Sequence, residues 1–406
     1  MNKKKIKVFS LATTYPESPL SSRPKFVHVL NKELVKLGVD VKTITPHTKG
    51  SLTKEIMDSV LIRRFRYLPE NYEIQPSISI IEAVAKSKSS FIKVITMTVI
   101  FFIFTFFECL KEKPDILHGH WAFPSGFMAY VMSTIFRKKF IVTLHGPEIL
   151  LSKFKTLERI VIFGLNKSVV VANSDYTKNI LTKMGIKNEK IVRINVPPDF
   201  VDNMSDTESL EQFRERFTDR SHKIILFAGR LVELKGCEYL IRSMLELEDL
   251  KLHLVIAGDG ILREPLHDLT KSTGLESKVT FFGGASREEL GLLRSISDIF
   301  VCPSIVDSRG DTDGLPMVIL EALKAGLPII ASSVGGITDL IKHEVNGLLV
   351  NQKDPVSIAK AVRRVISDEK MKKKIIENSK ETLKEFSPEL IAKQYLDIFQ
   401  GFVNNQ

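Results

Sequence analysis

The sequence predicts an α/β chain built from two successive parallel-sheet domains. Three observations carry that expectation. At 406 residues the chain is too long for one typical hydrophobic core. Short apolar runs alternate with helical periodicities in both halves. The alternation restarts after Pro197 and Pro198, where a polar stretch to about Glu208 marks a boundary.

The elements follow in order. Lys5–Ala12 reads as a first strand, and Phe26–Leu37 as a helix, with Val27, Leu30, Leu34 and Leu37 three to four apart and Gly38 closing it. Val39–Ile44, Asp115–His118, Phe140–Leu144 and Ser168–Ala172 read as further strands, while residues 49–88 follow no regular pattern. In the second half Lys223–Phe227 is a strand, followed by a turn at Gly229 and a helix from about Cys237. Leu252–Ala257, Val279–Phe282, Ile299–Cys302 and Pro328–Ala331 complete its strands, and Pro388–Phe402 reads as a last helix. Two Rossmann-like domains facing a cleft are expected, with ligands at the carboxyl ends of the strands.

Composition excludes several classes. With 44% hydrophobic and 26% charged residues the chain is globular and not disordered. Cys109, Cys237 and Cys302 are few, odd in number and set in apolar surroundings, which fits a reducing compartment without a disulfide framework. The net charge of +10 is uneven. Residues 1–200 hold 31 basic against 16 acidic side chains, and residues 201–406 hold 27 against 32. An excess confined to one half points to a polyanionic surface facing that half. No nucleic-acid motif appears and the aromatics are not interleaved with the bases, so an anionic membrane is favoured over nucleic acid.

The apolar run Ile6–Ala12 is too short for a signal peptide. Val94–Phe107, at fourteen residues, falls short of the roughly 20 needed to span a bilayer. It reads first as a core helix of the N-terminal domain and alternatively as a helix showing a Phe-rich face to lipid.

The stretch around which the chain is organised is Pro303–Gly336, PSIVDSRGDTDGLPMVILEALKAGLPIIASSVGG. Loop residues lead through Asp313, Gly314 and Pro316 into an apolar run that reaches Glu321 and stops at Gly326. Glycine permits close backbone approach, Pro316 suits the first turn of a helix, and the free amides at a helix start form an anion site. Two turns on, Glu321 can aim a carboxylate at whatever is bound there.

This stretch resembles the acidic-x7-acidic signature of glycosyltransferase family 4, retaining nucleotide-sugar enzymes with the two-domain GT-B fold. The family usually has Glu where this chain has Asp313. The resemblance covers nearly the whole chain, most specifically residues 225–350, and is strongest to bacterial cell-surface polysaccharide glycosyltransferases. It implies domains at 1–200, with a terminal helix 388–406 crossing back onto it, and at 201–387.

It also implies roles. In AGRLVELKG, Arg230 and Lys235 match the family's diphosphate-binding cations, which stabilise the leaving group's charge without a metal. Amides near Gly314, Leu315 and Pro316 would cradle phosphate, Glu321 would accept from the ribose, and Asp313 would hydrogen-bond the transferred sugar. Gly258 and Asp259 of AGDG, and Gly283, lie near the base and donor in the family; as plain turns they need no ligand. His145 of VTLHGPE is the candidate catalytic histidine, a neutral donor to a sugar hydroxyl. His118 reads as structural, while His120 and Trp121 could contact acceptor. Glu148 stands where many members have Asp, RINVPPDF lacks the family's glycine, and the loop with Ser21 and Ser22 lacks a glycine pair. No metal or other cofactor is expected, because neither a chelating aspartate pair nor a carboxylate near His118-x-His120 is present. The implied function is transfer from a UDP- or GDP-sugar to an acceptor, with a lipid-linked glycan at the inner membrane surface favoured. A sugar-nucleotide epimerase and a non-catalytic sugar-nucleotide-binding protein are the alternatives.

Overall fold

A computed structural model describes residues 5–19, 21, 23, 25–74, 88–145, 155–200 and 207–404. Glu148 and Ser22 fall outside these residues. The chain divides into two compact units, Met1–Asp199 with Phe386–Gln406, and Phe200–Glu385.

The first unit is an eight-stranded sheet. Its elements are β1 (Lys7–Leu11), α1 (Phe26–Lys36), β2 (Asp40–Pro46), β3 (Lys54–Met57), β4 (Val60–Phe65), α2 (Lys88–Glu112), β5 (Ile116–His120), α3 (Phe127–Phe136), β6 (Lys139–Leu144), α4 (Lys155–Leu165), β7 (Val169–Ala172), α5 (Asp175–Lys183) and β8 (Ile191–Arg193). The strand order is β3-β4-β2-β1-β5-β6-β7-β8, parallel except for the β3–β4 pair. That pair fills part of the stretch whose sequence pattern is irregular. β3 is only four residues long and half exposed, so it carries no apolar run to read.

Both faces of the sheet are covered. Phe9, Leu11, Phe101, Met128 and Leu165 pack one core under α2, α3 and α4. On the other face Val27, Leu30 and Leu34 of α1 meet Ile391, Tyr395 and Phe399 of the last helix, Pro388–Asn404. The terminal helix thus returns to the first unit.

α2 is longer than its fourteen-residue apolar run, at 25 residues. Val94, Met97, Phe101 and Cys109 are buried, as a core helix requires, but Phe91, Ile92, Ile95, Val99, Phe102, Ile103, Phe107 and Leu110 are exposed. Its inner side is tied to the sheet by charge as well. Lys42, 3% exposed on β2, donates to Glu108 at 2.8 Å and also to Glu112, and Arg63 lies 3.3 Å from Glu108. By length and composition α2 could cross a membrane; its packing makes it a layer of this α/β unit.

The second unit contains α6 (Thr207–Glu215), β9 (Lys223–Ala228), α7 (Cys237–Ser243), β10 (Leu252–Ala257), α8 (Arg263–Ser272), β11 (Val279–Gly283), α9 (Arg287–Ile296), β12 (Ile299–Cys302), α10 (Met317–Lys324), β13 (Ile329–Ser332), α11 (Ile337–Leu340), β14 (Leu348–Val350), α12 (Pro355–Ser367) and α13 (Glu369–Lys384). Its six strands are all parallel, in the order β11-β10-β9-β12-β13-β14. The order reverses beside β9 and β12, so the loops leaving these two strands border a switch point. Those loops carry Arg230–Lys235 and Ser304–Pro316.

Candidate functional site

The first cluster of candidate residues is built where the loops after β9 and β12 meet. Gly236, at φ +61°, seats the first loop against the second, since a Cβ there would lie 2.0 Å from the Pro303 carbonyl oxygen. Lys235 and Asp313 are thereby brought together, with Lys235 Nζ donating to Asp313 Oδ1 at 2.7 Å. The buried Ser304 hydroxyl donates to Asp313 Oδ2. Both carboxylate oxygens of Asp313 are therefore engaged. An ammonium has three donors, and the bond to Asp313 uses one.

Asp313 leads directly into α10. Pro316 is the N-cap residue with ψ 103° and not a first-turn residue, and the helix opens at Met317. Ile319 N–H bonds back to the Pro316 carbonyl at 3.0 Å, so the amides before it precede the first intrahelical bond. The peptide of Asp313–Gly314 is held from behind by the turn after β13. Gly336 N–H donates to the Asp313 carbonyl at 3.0 Å, and a Cβ on Gly336 would fall 1.5 Å from the Gly314 carbonyl oxygen. Gly314 and Leu315 are half-exposed in the gap this leaves.

Glu321 sits one turn further along α10 and accepts from Arg294 Nη1 at 2.8 Å. Arg294, on α9, is 8% exposed. Burial lowers its pKa, opposed by the Glu321 carboxylate. Nothing in the sequence marks Arg294, because its partner lies 27 positions away on another helix. Ser304 did leave a signal, a small hydroxyl residue two positions past the end of β12.

Arg230 is exposed on the turn after β9, five positions before Lys235. Gly258, Asp259 and Gly283 end the neighbouring strands. Gly258, at φ +151°, has a close-packing role: a Cβ there would lie 1.8 Å from the Gly229 carbonyl oxygen, and its N–H donates to the Gly283 carbonyl at 2.7 Å. Asp259 is exposed, bonds the Gly260 amide at 2.7 Å and lies 3.6 Å from Arg263.

The first unit carries a second cluster at the carboxyl ends of β5 and β6. His145 Nε2 lies 3.4 Å from His120 Nδ1, with the rings stacked at 17°. Phe26 and Trp121 pack against the same imidazole at centroid distances of 4.7 and 5.0 Å. Behind His120 stands His118, 4.1 Å away by centroid. His118 Nε2 lies 2.8 Å from Thr143 Oγ1, which lies 2.9 Å from the Tyr395 hydroxyl. His118 is thus structural, as its strand position implied. Burial holds His118 and His145 down to about 3 and pushes His120 well below the usual histidine range, with its neighbours' charges adding to the effect. All three are neutral at physiological pH. His120 is 1% exposed, which corrects the expectation that it meets acceptor directly: its ring supports His145, and the half-exposed Trp121 is the accessible one.

Among the described residues no group of three or more His, Cys, Asp or Glu could hold a metal ion. Lys235 beside a helix start, at the switch point of a parallel sheet, gives this corner the chemistry to receive an anionic ligand. Comparison with known proteins gives the class. Residues 208–382 match the family described as Glycosyl transferases group 1, and residues 25–197 match Glycosyltransferase Family 4. An uncharacterized glycosyltransferase of Methanocaldococcus jannaschii is 33% identical over 71% of this chain and 76% of its own length. A putative teichuronic acid biosynthesis glycosyltransferase of Bacillus subtilis is 26% identical over 93% of this chain and 94% of its own. Among solved structures, sucrose-phosphate synthase from Thermosynechococcus elongatus superposes with a TM-score of 0.78 at 19% identity, covering 98% of this chain and 100% of that one. Anabaena HepE in complex with UDP and glucose gives 0.72 at 16% identity, covering 97% and 99%. The chain belongs to glycosyltransferase family 4, has the GT-B fold and is a glycosyltransferase.

Proposed function

We propose that this glycosyltransferase moves a sugar, with retention of configuration, from a UDP- or GDP-sugar to an acceptor hydroxyl. The observation that carries the reading is the Lys235–Asp313 pair at the entry to α10, with Glu321 one turn beyond on the same helix. A donor diphosphate would take the remaining donors of Lys235, with Arg230 and the first amides of α10 sharing its charge. Asp313 would accept from the transferred sugar and Glu321 from the ribose. His145, held neutral, would donate to a sugar hydroxyl. That relatives in structure are complexes with UDP and with UDP-glucose supports a uridine donor.

The bond from the anomeric carbon to the diphosphate oxygen breaks as the acceptor oxygen bonds on the same face. The acceptor proton passes to the departing phosphate, whose charge the two cations stabilise without a metal. The acceptor is proposed to be a lipid-linked glycan of cell-surface polysaccharide synthesis, reached from the cytoplasmic side by a peripherally bound enzyme. The +15 balance of residues 1–200 and the teichuronic acid relative support this.

Donor hydrolysis across UDP-, GDP- and ADP-sugars tests the reading. One sugar nucleotide should be cleaved slowly without acceptor, the released sugar should keep its anomeric configuration, and Asp313→Ala should abolish cleavage. Release of an altered but intact nucleotide sugar would identify an epimerase. Binding with no hydrolysis to lose would identify a sensor.

A further inference from the structure

The first unit carries a second basic site at the opposite end of its sheet from the histidines. Lys138, Lys139, Lys167 and Lys190 line a cavity of about 530 Å³ with Tyr130 and Phe402. Lys139 and Val169 are the first residues of β6 and β7, and Lys190 directly precedes β8. The cavity therefore lies at the amino ends of these strands, whereas Leu144 and Ala172 mark the carboxyl ends of β6 and β7. Lysines beyond the carboxyl ends of α3 and α4 complement the helix dipoles. That effect alone does not explain four of them around one cavity. No carboxylate lines it, and none of the four has an ion pair with a described residue.

The cavity borders an apolar surface. α2, α3 and α4 lie side by side, joined through Phe106–Phe136 at 5.3 Å and Tyr130–Phe163 at 6.4 Å. The eight exposed apolar residues of α2 recur every three to four positions from Phe91 to Leu110, a stripe of about 28 Å. Ile135 of α3 and Ile160 and Phe163 of α4 extend it. Lys167 lies over the Phe163 ring at 5.0 Å, where stripe and cavity meet. Lys93, Lys111, Lys113, Arg137, Lys155 and Arg159 edge the stripe. Of the acids on these helices, Glu108 and Glu112 are tied to Lys42, which leaves Glu158 on α4.

We infer that the outer face of α2–α3–α4 docks on an anionic phospholipid bilayer, with the four-lysine cavity taking a phosphate-bearing headgroup. A basic-edged apolar helix face has the chemistry of an interfacial element that lies in the plane of the headgroups. A second copy of the chain fits less well, because two-fold pairing on this face sets the same lysines against each other. The inference rests on the proposed membrane-linked acceptor and adds the surface that would meet the membrane.

Flotation with phosphatidylcholine vesicles, with and without phosphatidylglycerol, tests it on the full chain. The protein should float only with phosphatidylglycerol and be released by salt. Ile95→Ser/Phe102→Ser/Phe107→Ser should abolish flotation. Replacing the four cavity lysines by Gln should weaken it by roughly 600-fold, from roughly fivefold per lysine. A polarity-sensitive fluorophore on Phe107→Cys should shift to the blue on the same vesicles, a readout that survives if the triple variant fails to fold. Failure to float at low salt, or equal flotation on phosphatidylcholine alone, overturns the inference. So does saturable binding of inorganic phosphate in the cavity without flotation, or a dimer that only the Ser variant dissociates. Donor hydrolysis without vesicles should be unchanged in every variant. Its absence in the native chain would defeat the transferase reading while leaving the flotation result standing.

Discussion

The two units prepare their candidate residues in opposite ways. In the second, Lys235–Asp313 and Arg294–Glu321 are charged pairs whose carboxylates remain partly exposed, at 13% and 26%. In the first, His118, His120 and His145 are packed ring against ring, desolvated and neutral. Charged pairs can exchange partners when an anion arrives. A buried imidazole stack cannot change its charge cheaply, so it offers fixed geometry instead. One half is thus arranged to answer a ligand, the other to stay as it is.

The sharpest way to break this contrast is at Lys235. Lys235→Ala removes a cation from the proposed diphosphate and takes from Asp313 its 2.7 Å ammonium partner, leaving the Ser304 bond. Turnover should fall by about 10²–10³-fold, measured as donor hydrolysis and as transfer. A loss confined to KM, with kcat intact, would mean that Lys235 binds ground state and transition state equally.

Arg294 sharpens the same side. Arg294→Met keeps most of the volume but removes the 2.8 Å bond to the Glu321 carboxylate, a cost of about 1 kcal/mol. Nucleotide affinity by calorimetry should drop about tenfold, while hydrolysis at saturating donor changes little. If affinity is unaltered, Glu321 does not depend on Arg294 for its placement. Gly336→Ala tests the backbone instead. Its Cβ cannot sit 1.5 Å from the Gly314 oxygen, so the Asp313–Gly314 peptide must move, at a cost of about 1–3 kcal/mol. Donor turnover should fall by about tenfold with the thermal midpoint lowered. Full activity would show that this peptide does not need its observed position.

How much of this was legible in the sequence differs between the same two regions. In the second unit the strands are continuous apolar runs and the acids flank a glycine–proline helix start, so Asp313, Gly314 and Glu321 could be singled out from local pattern alone. Arg294 could not, because a long-range pair leaves no spacing to read. In the first unit the histidines were visible at strand ends, but the burial of His120 depends on its place between His118 and His145, which no single strand encodes. The apolar run Val94–Phe107 hid the extent of α2, whose polar carboxyl end Glu108–Glu112 is tied to the sheet through Lys42. β8 and β14, three residues each, were too short to register.

The smallest expected effect on catalysis tests the neutral side. With His118 and His145 held near 3, both are unprotonated from pH 6 to 8, so neither should leave an inflection near 6.5 in the kcat profile. Stability behaves differently. The unfolded chain takes up a proton at each histidine below about 6.5, while the native stack does not until about 3. The native state therefore keeps its full advantage above 6.5 and loses it progressively as pH falls toward 3, by about 1.4 kcal/mol per pH unit for each such group. His118→Gln removes one group from the stack. The difference in urea-unfolding free energy between native and variant should be constant above pH 7 and shrink on acidification, with that slope. A constant difference down to pH 4 would mean that His118 titrates normally in the fold. The stack would then be an adjustable charge, like the pairs in the other unit.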